Sequence, residues 1–370
     1  MTYVIAIRYR DAVLMVADTG LTRQAADDDR SFTLFKQLQR QDGHVIDEAA
    51  LKLIRVGDRA LLGIVGDREF AYAAAENLNA RWSPAATPRE ALATMGVSLG
   101  PWEKHVELLL ACADGTRVSL SHWSSSHPQE VNDVTDGLGI GSGTPVLGEL
   151  SQGAASALFN EVKTFTTDEA LVALLARLQI ESQHENLPAH RVSGAFIGAA
   201  VEPSGVSWQP DITWVLYKQH DIPLPDKEGA EGRLPIDLVG VLVREDAGIL
   251  VTCTTNPPTM KLLAARARLP VDYEAFVARL FQAGAQAGSC LTCDYFVFLA
   301  AEGRTAVVHP LPDRIPETAF MTARIEGGRL CFNFNEALGR FVRELSVADE
   351  RPGTASVRFV LAPRREPGGS

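Results

Sequence analysis

Apolar and polar positions along the chain fall into short runs whose period changes from strand-like to helical and back. Residues 3 to 9 and 12 to 18 are two apolar runs separated by Arg10-Asp11, and they predict a hairpin whose second strand ends at Asp18. From Leu21 to Ala49 the chain turns polar, with the acidic run Asp27-Asp28-Asp29 and repeated Gln, which predicts a long surface insertion. Leu51 to Val56 and Ala60 to Val65 predict a second hairpin around Gly57-Asp58, and Gly66-Asp67 leads into a helical pattern through Phe70, Ala73, Ala74 and Leu78. A short helix is expected from Pro88. Val106 to Cys112 and Arg117 to His122 flank Asp114-Gly115, a common turn dipeptide. Gly137 to Ile140 reads as a strand entering Gly141-Ser142-Gly143. Helical patterns follow from Pro145 to about Phe165 and from Asp168 to about Ser182, the second capped by Thr167, before strands at 192 to 201 and 212 to 218.

Strands, helices, strands, helices and strands in that order suit an α+β fold with two antiparallel sheets between helix pairs better than a parallel, doubly wound sheet. The stretch 219–235, QHDIPLPDKEGAEGRLP, has no apolar period and is rich in Pro, Gly and charge, so it is expected to link a first domain, 1–218, to a second, 236–363. The second domain is expected to mix helices near 257 to 267 and 271 to 284 with strands at 238 to 243 and 248 to 252, a hairpin at 295 to 308, and a strand and helix from Arg329 to Leu345. Residues 364–370 read as a disordered tail. Tyr3 to Val16 and Leu238 to Val251 align without gaps, a weak echo of a duplication in which Asp237 would stand for Thr2 and Cys253 for Asp18.

Composition narrows the function classes. With 46% hydrophobic and 22% charged residues over 370 positions, the chain is neither disordered nor collagen-like. Its net charge of −11, with no basic run, argues against nucleic acid as the main partner. Its apolar stretches fall short of the roughly 18 residues a membrane span needs, so no membrane contact is expected. The N-terminus has no secretory signal pattern, and five cysteines, an odd number, fit a reducing compartment; a cytoplasmic location is expected.

The chemistry-bearing candidate is Thr2. Removal of Met1 would give Thr2 a free α-amine beside its hydroxyl, and an amine with a reference pKa of about 7.7–8.0 can take the hydroxyl proton near neutral pH. Taken alone, Thr2 is a small second residue before a strand. Further residues concur in order: T-Y-V-I-A-I from Thr2, V-A-D at 16 to 18, Thr22, K-L-I-R-V at 52 to 56, A-L-L-G-I-V-G at 60 to 66, G-I-G-S-G at 139 to 143 and S-G-A at 193 to 195. Over residues 2 to 218 this series resembles the proteasome β-subunit family, especially its bacterial proteasome-like and ancestral β-subunit-like members.

The resemblance implies a four-layer αββα sandwich, an N-terminal nucleophile hydrolase with no metal and no cofactor. It makes Thr2 the nucleophile, Lys52 the cation that lowers the hydroxyl and amine pKa values, and Asp18 the partner that orients Lys52. Gly66 would present its backbone N–H as oxyanion donor, Ser142 would bond near the Thr2 amine, and the backbone of Thr22 would bind an extended peptide as an added strand. It also implies peptide or unfolded-protein substrates, a homo-oligomeric ring or spiral, and a separate ATP-dependent unfoldase as a partner. The chain departs from the family pattern in three ways. An extra stretch follows Asp18, so Lys36 competes with Lys52, which is favoured because the strand pattern and Gly66 follow it directly. His190 replaces the acid expected ahead of the S-G-A turn, which puts the orientation of Thr2 and Ser142 in doubt. Gly20 stands where many relatives carry a longer polar side chain. Two other readings stay open: a catalytically silent scaffold or assembly protein, and a non-proteolytic amidase on the same fold.

Other motifs weigh less. Cys290-Leu291-Thr292-Cys293 lacks a second ligand pair, no H-x-x-x-H spacing occurs, and no phosphate-binding G-x-x-x-x-G-K is present. Gly96-Val97-Ser98-Leu99-Gly100 matches G-x-S-x-G but follows a helical pattern, where a nucleophile elbow needs a strand. Trp208 and Trp214 read as packing residues of a late hairpin.

Overall fold

The computed structural model of the chain describes residues 3–24, 40–41, 44–48, 50–83, 87–98, 103–145, 147, 165–184, 187–192, 194–217, 239–246, 249–255, 258–264, 294–300, 305–310, 321–326, 329–334 and 356–359. It is a mixed α+β structure with mostly antiparallel sheets and few helices. The chain divides into two compact units. The first is Met1–Gln209 with Glu245–Leu250 and Leu262–Ala267, and the second is Pro210–Arg244, Val251–Lys261 and Arg268–Ser370.

The first unit begins with β1 (Tyr3–Tyr9) and β2 (Ala12–Asp18), paired from Val4↔Ala17 to Tyr9↔Ala12. Their two-residue turn holds Arg10 at φ 57°, the sign of primed hairpin turns, and the Arg10 guanidinium lies 5.0 Å from the Tyr9 ring centroid. On the far side of β1 lies β11 (Gly137–Gly141), and on the far side of β2 lie β12 (Phe196–Glu202) and then β13 (Gly205–Trp208), all antiparallel. A second antiparallel sheet runs β10 (Val131–Asp133), β9 (Val118–Ser124), β8 (Val106–Ala113), β7 (Ala60–Gly66) and β6 (Leu53–Val56).

Strand alternation explains how the two sheets meet. A Cβ added at Gly63 of β7 would lie 2.6 Å from Cγ1 of Val4 and 2.9 Å from Cε of Met15, so the sheets approach closely at a position where the sequence supplies no side chain. The opposite face of the second sheet carries Leu62, Ile64, Val106, Leu108, Leu110 and Trp123, which form one apolar cluster with buried residues of α1 (Arg68–Arg81) and α2 (Pro88–Ser98). Asp67 caps α1 by accepting the N–H groups of Glu69 and Phe70, and Thr87 and Glu90 form a reciprocal capping box at α2. The third helix, α3 (Thr167–His184), packs on β12, where a Cβ at Gly198 would lie 2.8 Å from Cδ1 of Leu171. Its cap is Thr166, which exchanges hydrogen bonds with Glu169, one residue earlier than expected. Thr167 instead donates its hydroxyl to Glu202.

Gly96 lies inside α2, because a Cβ there would meet Nε1 of Trp123 at 2.8 Å. The described part of the G-x-S-x-G match, residues 96–98, is therefore the end of a helix and not a strand leading into an elbow. The polar stretch after β2 is partly strand: β3 (Gly20–Gln24) pairs with β5 (His44–Glu48), which also pairs with the short β4 (Arg40–Gln41).

A seven-stranded sheet, most of whose residues belong to the second unit, runs β17 (Pro258–Ala264), β16 (Ile249–Thr255), β15 (Val239–Asp246), β14 (Ile212–Tyr217), β18 (Tyr295–Ala300), β19 (Thr305–Pro310) and β22 (Ser356–Phe359). The pairs β14–β18 and β19–β22 are parallel, and β20 (Met321–Glu326) and β21 (Arg329–Phe334) form a separate hairpin. Two expectations change here. The strand 212–217 belongs with the second unit and not to a first domain ending at 218, because β15 and β18 supply its backbone partners. Residues 258–264 are strand and not helix, since the neighbouring β16 provides the ladder that a Pro-led apolar run alone does not reveal. Trp208 and Trp214, both buried, sit in different units and not in one hairpin. Most of the helix expected at 145–165, the helix expected at 271–284, the whole linker 219–235, the tail and the Cys290–Cys293 pair lie outside the described residues. Among the described residues no helix is long and apolar enough to cross a membrane.

The meeting of the sheets at Gly63 gives a stability prediction. Gly63→Val should destabilise the first unit by about 3 kcal/mol, because the added branch overfills the space held by Val4 and Met15. Chemical denaturation measures this, and an unchanged midpoint would contradict the inter-sheet packing.

Candidate functional site

Asp18 ends β2 on a strand buried along its whole length, where a carboxylate needs compensation. Donors from three described residues reach it. Tyr3 N–H donates to Oδ1 at 2.8 Å, Gly20 N–H to Oδ2 at 3.2 Å, and Lys52 Nζ to Oδ1 at 2.7 Å. Lys52 in turn donates to the Gly20 carbonyl at 2.6 Å. The pair is enclosed, with Asp18 at 0% and Lys52 at 2% side-chain exposure. Lys52 reaches it from the residue before β6, and its own carbonyl accepts Ile64 N–H at 3.0 Å, which ties the lysine to the strand that ends at Gly66.

Burial pushes the Lys52 ammonium down from the ordinary lysine value, while the attraction and hydrogen bond of Asp18 pull it back up. The sign on stability follows from proton counts. Between the lowered folded value and about 10.4, the unfolded chain holds more protons at this lysine, so stability rises with pH through that window and is lost as pH falls through the folded value. The positive field of a lysine so held favours the ionised form of a neighbouring hydroxyl and the neutral form of a neighbouring amine.

The other anticipated residues lie at or beside strand ends, and Gly141, next to Ser142, is the ladder partner of Tyr3. Gly66 has φ +108°, and a Cβ there would lie 2.2 Å from the His105 carbonyl oxygen, so only glycine fits this turn into α1. Gly141, at φ +97°, stands opposite Tyr3 in the β1–β11 ladder and leads into Ser142. The Ser142 hydroxyl donates to the His190 carbonyl at 2.8 Å. That contact uses the main chain of residue 190, so exchange of an acid for histidine there leaves it intact. Gly143 closes the turn against Tyr3 and Val192, whose atoms a Cβ would meet at 3.0 and 2.6 Å. Thr22 pairs with Ile46, and the edge of β3 away from β5 carries no strand partner among the described residues. The side-chain hydroxyls of Thr19 and Thr22 are buried and have no hydrogen-bond partner among the described residues.

The structure thus brings Asp18 and Lys52 into direct contact and bonds Asp18 to Tyr3, the residue after Thr2. Thr2 itself lies outside the described residues, as does the competing Lys36. Sequence reasoning missed the backbone of Gly20, which serves both members of the pair. The signal was its glycine, since a residue that bonds Asp18 and Lys52 through its main chain needs no polar side chain. No cluster of His, Cys, Asp or Glu suited to a metal occurs among the described residues. Comparison of the chain with protein-family models and with curated proteins finds no match.

The pair also predicts energetics. Asp18→Asn and Lys52→Met should each destabilise by about 3–5 kcal/mol, because each strands a buried polar group. The double variant should lose clearly less than the sum, as a double-mutant cycle by urea denaturation would read; strict additivity would mean the two side chains are uncoupled.

Proposed function

We propose that the chain is a threonine-type N-terminal nucleophile hydrolase that cleaves peptide or amide bonds, with a four-layer αββα sandwich as its first unit. The observation that supports this most is the enclosed Lys52–Asp18 pair, bonded to the main chain one residue after Thr2. A salt bridge so dry contributes little net stability by itself, which favours a role in chemistry.

In this reading Met1 is removed, the free amine of Thr2 accepts the hydroxyl proton, and the oxygen attacks the substrate carbonyl. Lys52 lowers the cost of the developing alkoxide, and Asp18 keeps Lys52 charged and aimed. The Gly66 N–H stabilises the oxyanion, helped by a backbone that lets the substrate approach closely. The amine returns its proton to the leaving nitrogen, and water hydrolyses the ester on Thr2. Ser142 orients the amine, and the open edge of β3 around Thr22 takes an extended peptide as an added strand, a mode indifferent to most side chains. Peptide or unfolded protein as substrate, a homo-oligomeric ring or spiral, a partner unfoldase and a cytoplasmic setting all belong to this proposal.

Intact mass before and after treatment with a peptidyl epoxyketone, which requires a hydroxyl and an amine on one residue, tests the reading. Met1 should be absent and one adduct should form, lost in Thr2→Ala and slowed at least about 100-fold in Lys52→Met. Retained Met1 with no adduct would contradict the proposal and favour a silent scaffold.

A further inference from the structure

Lys52 sits just ahead of a strand, on a stretch whose main chain must find its partners one by one. Residues 50–52 precede β6 and belong to no strand, so their backbone groups depend on bonds from other elements. Among the described residues each of the three has one such bond. Ala50 N–H donates to the Thr19 carbonyl at 3.3 Å, the Lys52 carbonyl accepts Ile64 N–H at 3.0 Å, and the Leu51 carbonyl accepts the Tyr72 hydroxyl at 2.9 Å. The first two join main chain to main chain, through the residue after Asp18 and through the strand that ends at Gly66. The third comes from a side chain on a helix.

Tyr72 lies in the second turn of α1, the helix that Asp67 caps directly after Gly66. It belongs to the apolar cluster beneath α1 and α2, at 9% exposure, where a hydroxyl without a partner would be costly. Packing alone does not call for that oxygen, since phenylalanine fills nearly the same volume. Burial pushes the phenol up to about 12 against the opposing pull of Arg68, so it keeps its proton for the carbonyl. The bond therefore runs from the helix that starts beside Gly66 to the residue before Lys52.

We propose that Tyr72 is a positioning residue for the candidate site, holding the Leu51 carbonyl so that Lys52 keeps a fixed place relative to Gly66. This rests on Thr2 being the nucleophile and the Gly66 N–H the oxyanion donor. Asp18 fixes only the tip of Lys52, at Nζ, and the flexible stem of a lysine lets its main chain shift while that contact survives. Tyr72 fixes the root. Lys52 answers the charge that develops on the Thr2 oxygen and Gly66 the charge on the substrate oxygen, so an error in their separation is felt in the transition state and not in substrate binding.

The test is epoxyketone adduct formation by the full chain, read as the maximal rate and the half-saturating concentration, for Tyr72→Phe, Lys52→Met and the two combined. Tyr72→Phe, which removes one oxygen and no carbon, should lower the maximal rate about tenfold and leave the half-saturating concentration within about twofold. In the Lys52→Met background the same substitution should change the rate by less than about twofold, because the group it positions is gone. On the unsubstituted chain, NMR should show a slowly exchanging Tyr72 hydroxyl proton close to Leu51, and its absence would overturn the inference whatever the variants do. Equal slowing by Tyr72→Phe in both backgrounds, or slowing in neither, would overturn the positioning role while leaving Thr2 as nucleophile. No adduct on the unsubstituted chain would instead overturn the hydrolase reading and this inference with it.

Discussion

One buried ion pair organises the working end of the first unit. Lys52 and Asp18 lie out of water, and a pair so placed persists only if its remaining donors and acceptors are satisfied. Three strand ends meet that demand: Tyr3 at the start of β1, Gly20 at the start of β3, and Lys52 itself ahead of β6. The chain therefore cannot move any one of these ends without exposing a buried charge. The same geometry that is costly for folding holds rigid the segment that follows Thr2.

Glycines complete that end for a different reason. Gly63 lets the two sheets close, Gly66 lets the chain turn against the His105 carbonyl, and Gly143 lets the turn after β11 lie on Tyr3. Each is a place where a side chain would hold two pieces of backbone apart. Packing and the candidate site thus share the same few positions.

Much of this was legible from residues alone. The hairpins 3–18 and 53–66 and the helices after Asp67 and Pro88 follow from apolar runs broken by turn residues, because local pattern governs them. The pairing of Asp18 with Lys52 was legible only as what the family resemblance implied, since nothing local distinguishes Lys52 from a solvated lysine. What stayed hidden depends on partners distant in sequence. Residues 212–217 read as the end of one domain until β18, some 80 residues later, supplies their parallel neighbour. Residues 258–264 lack an alternation strong enough to exclude a helix. The role of residue 190 was sought in its side chain, while the contact uses its carbonyl, which sequence does not specify.

The central claim is that Lys52 is a buried lysine whose charge depends on Asp18. The most direct measurement is an NMR titration of the Lys52 side chain in lysine-labelled protein, assigned with Lys52→Met and repeated in Asp18→Asn. Lys52 should titrate below the solution value of about 10.4, and lower still once Asp18 is neutralised. Titration at the solution value, unmoved by Asp18→Asn, would contradict the account.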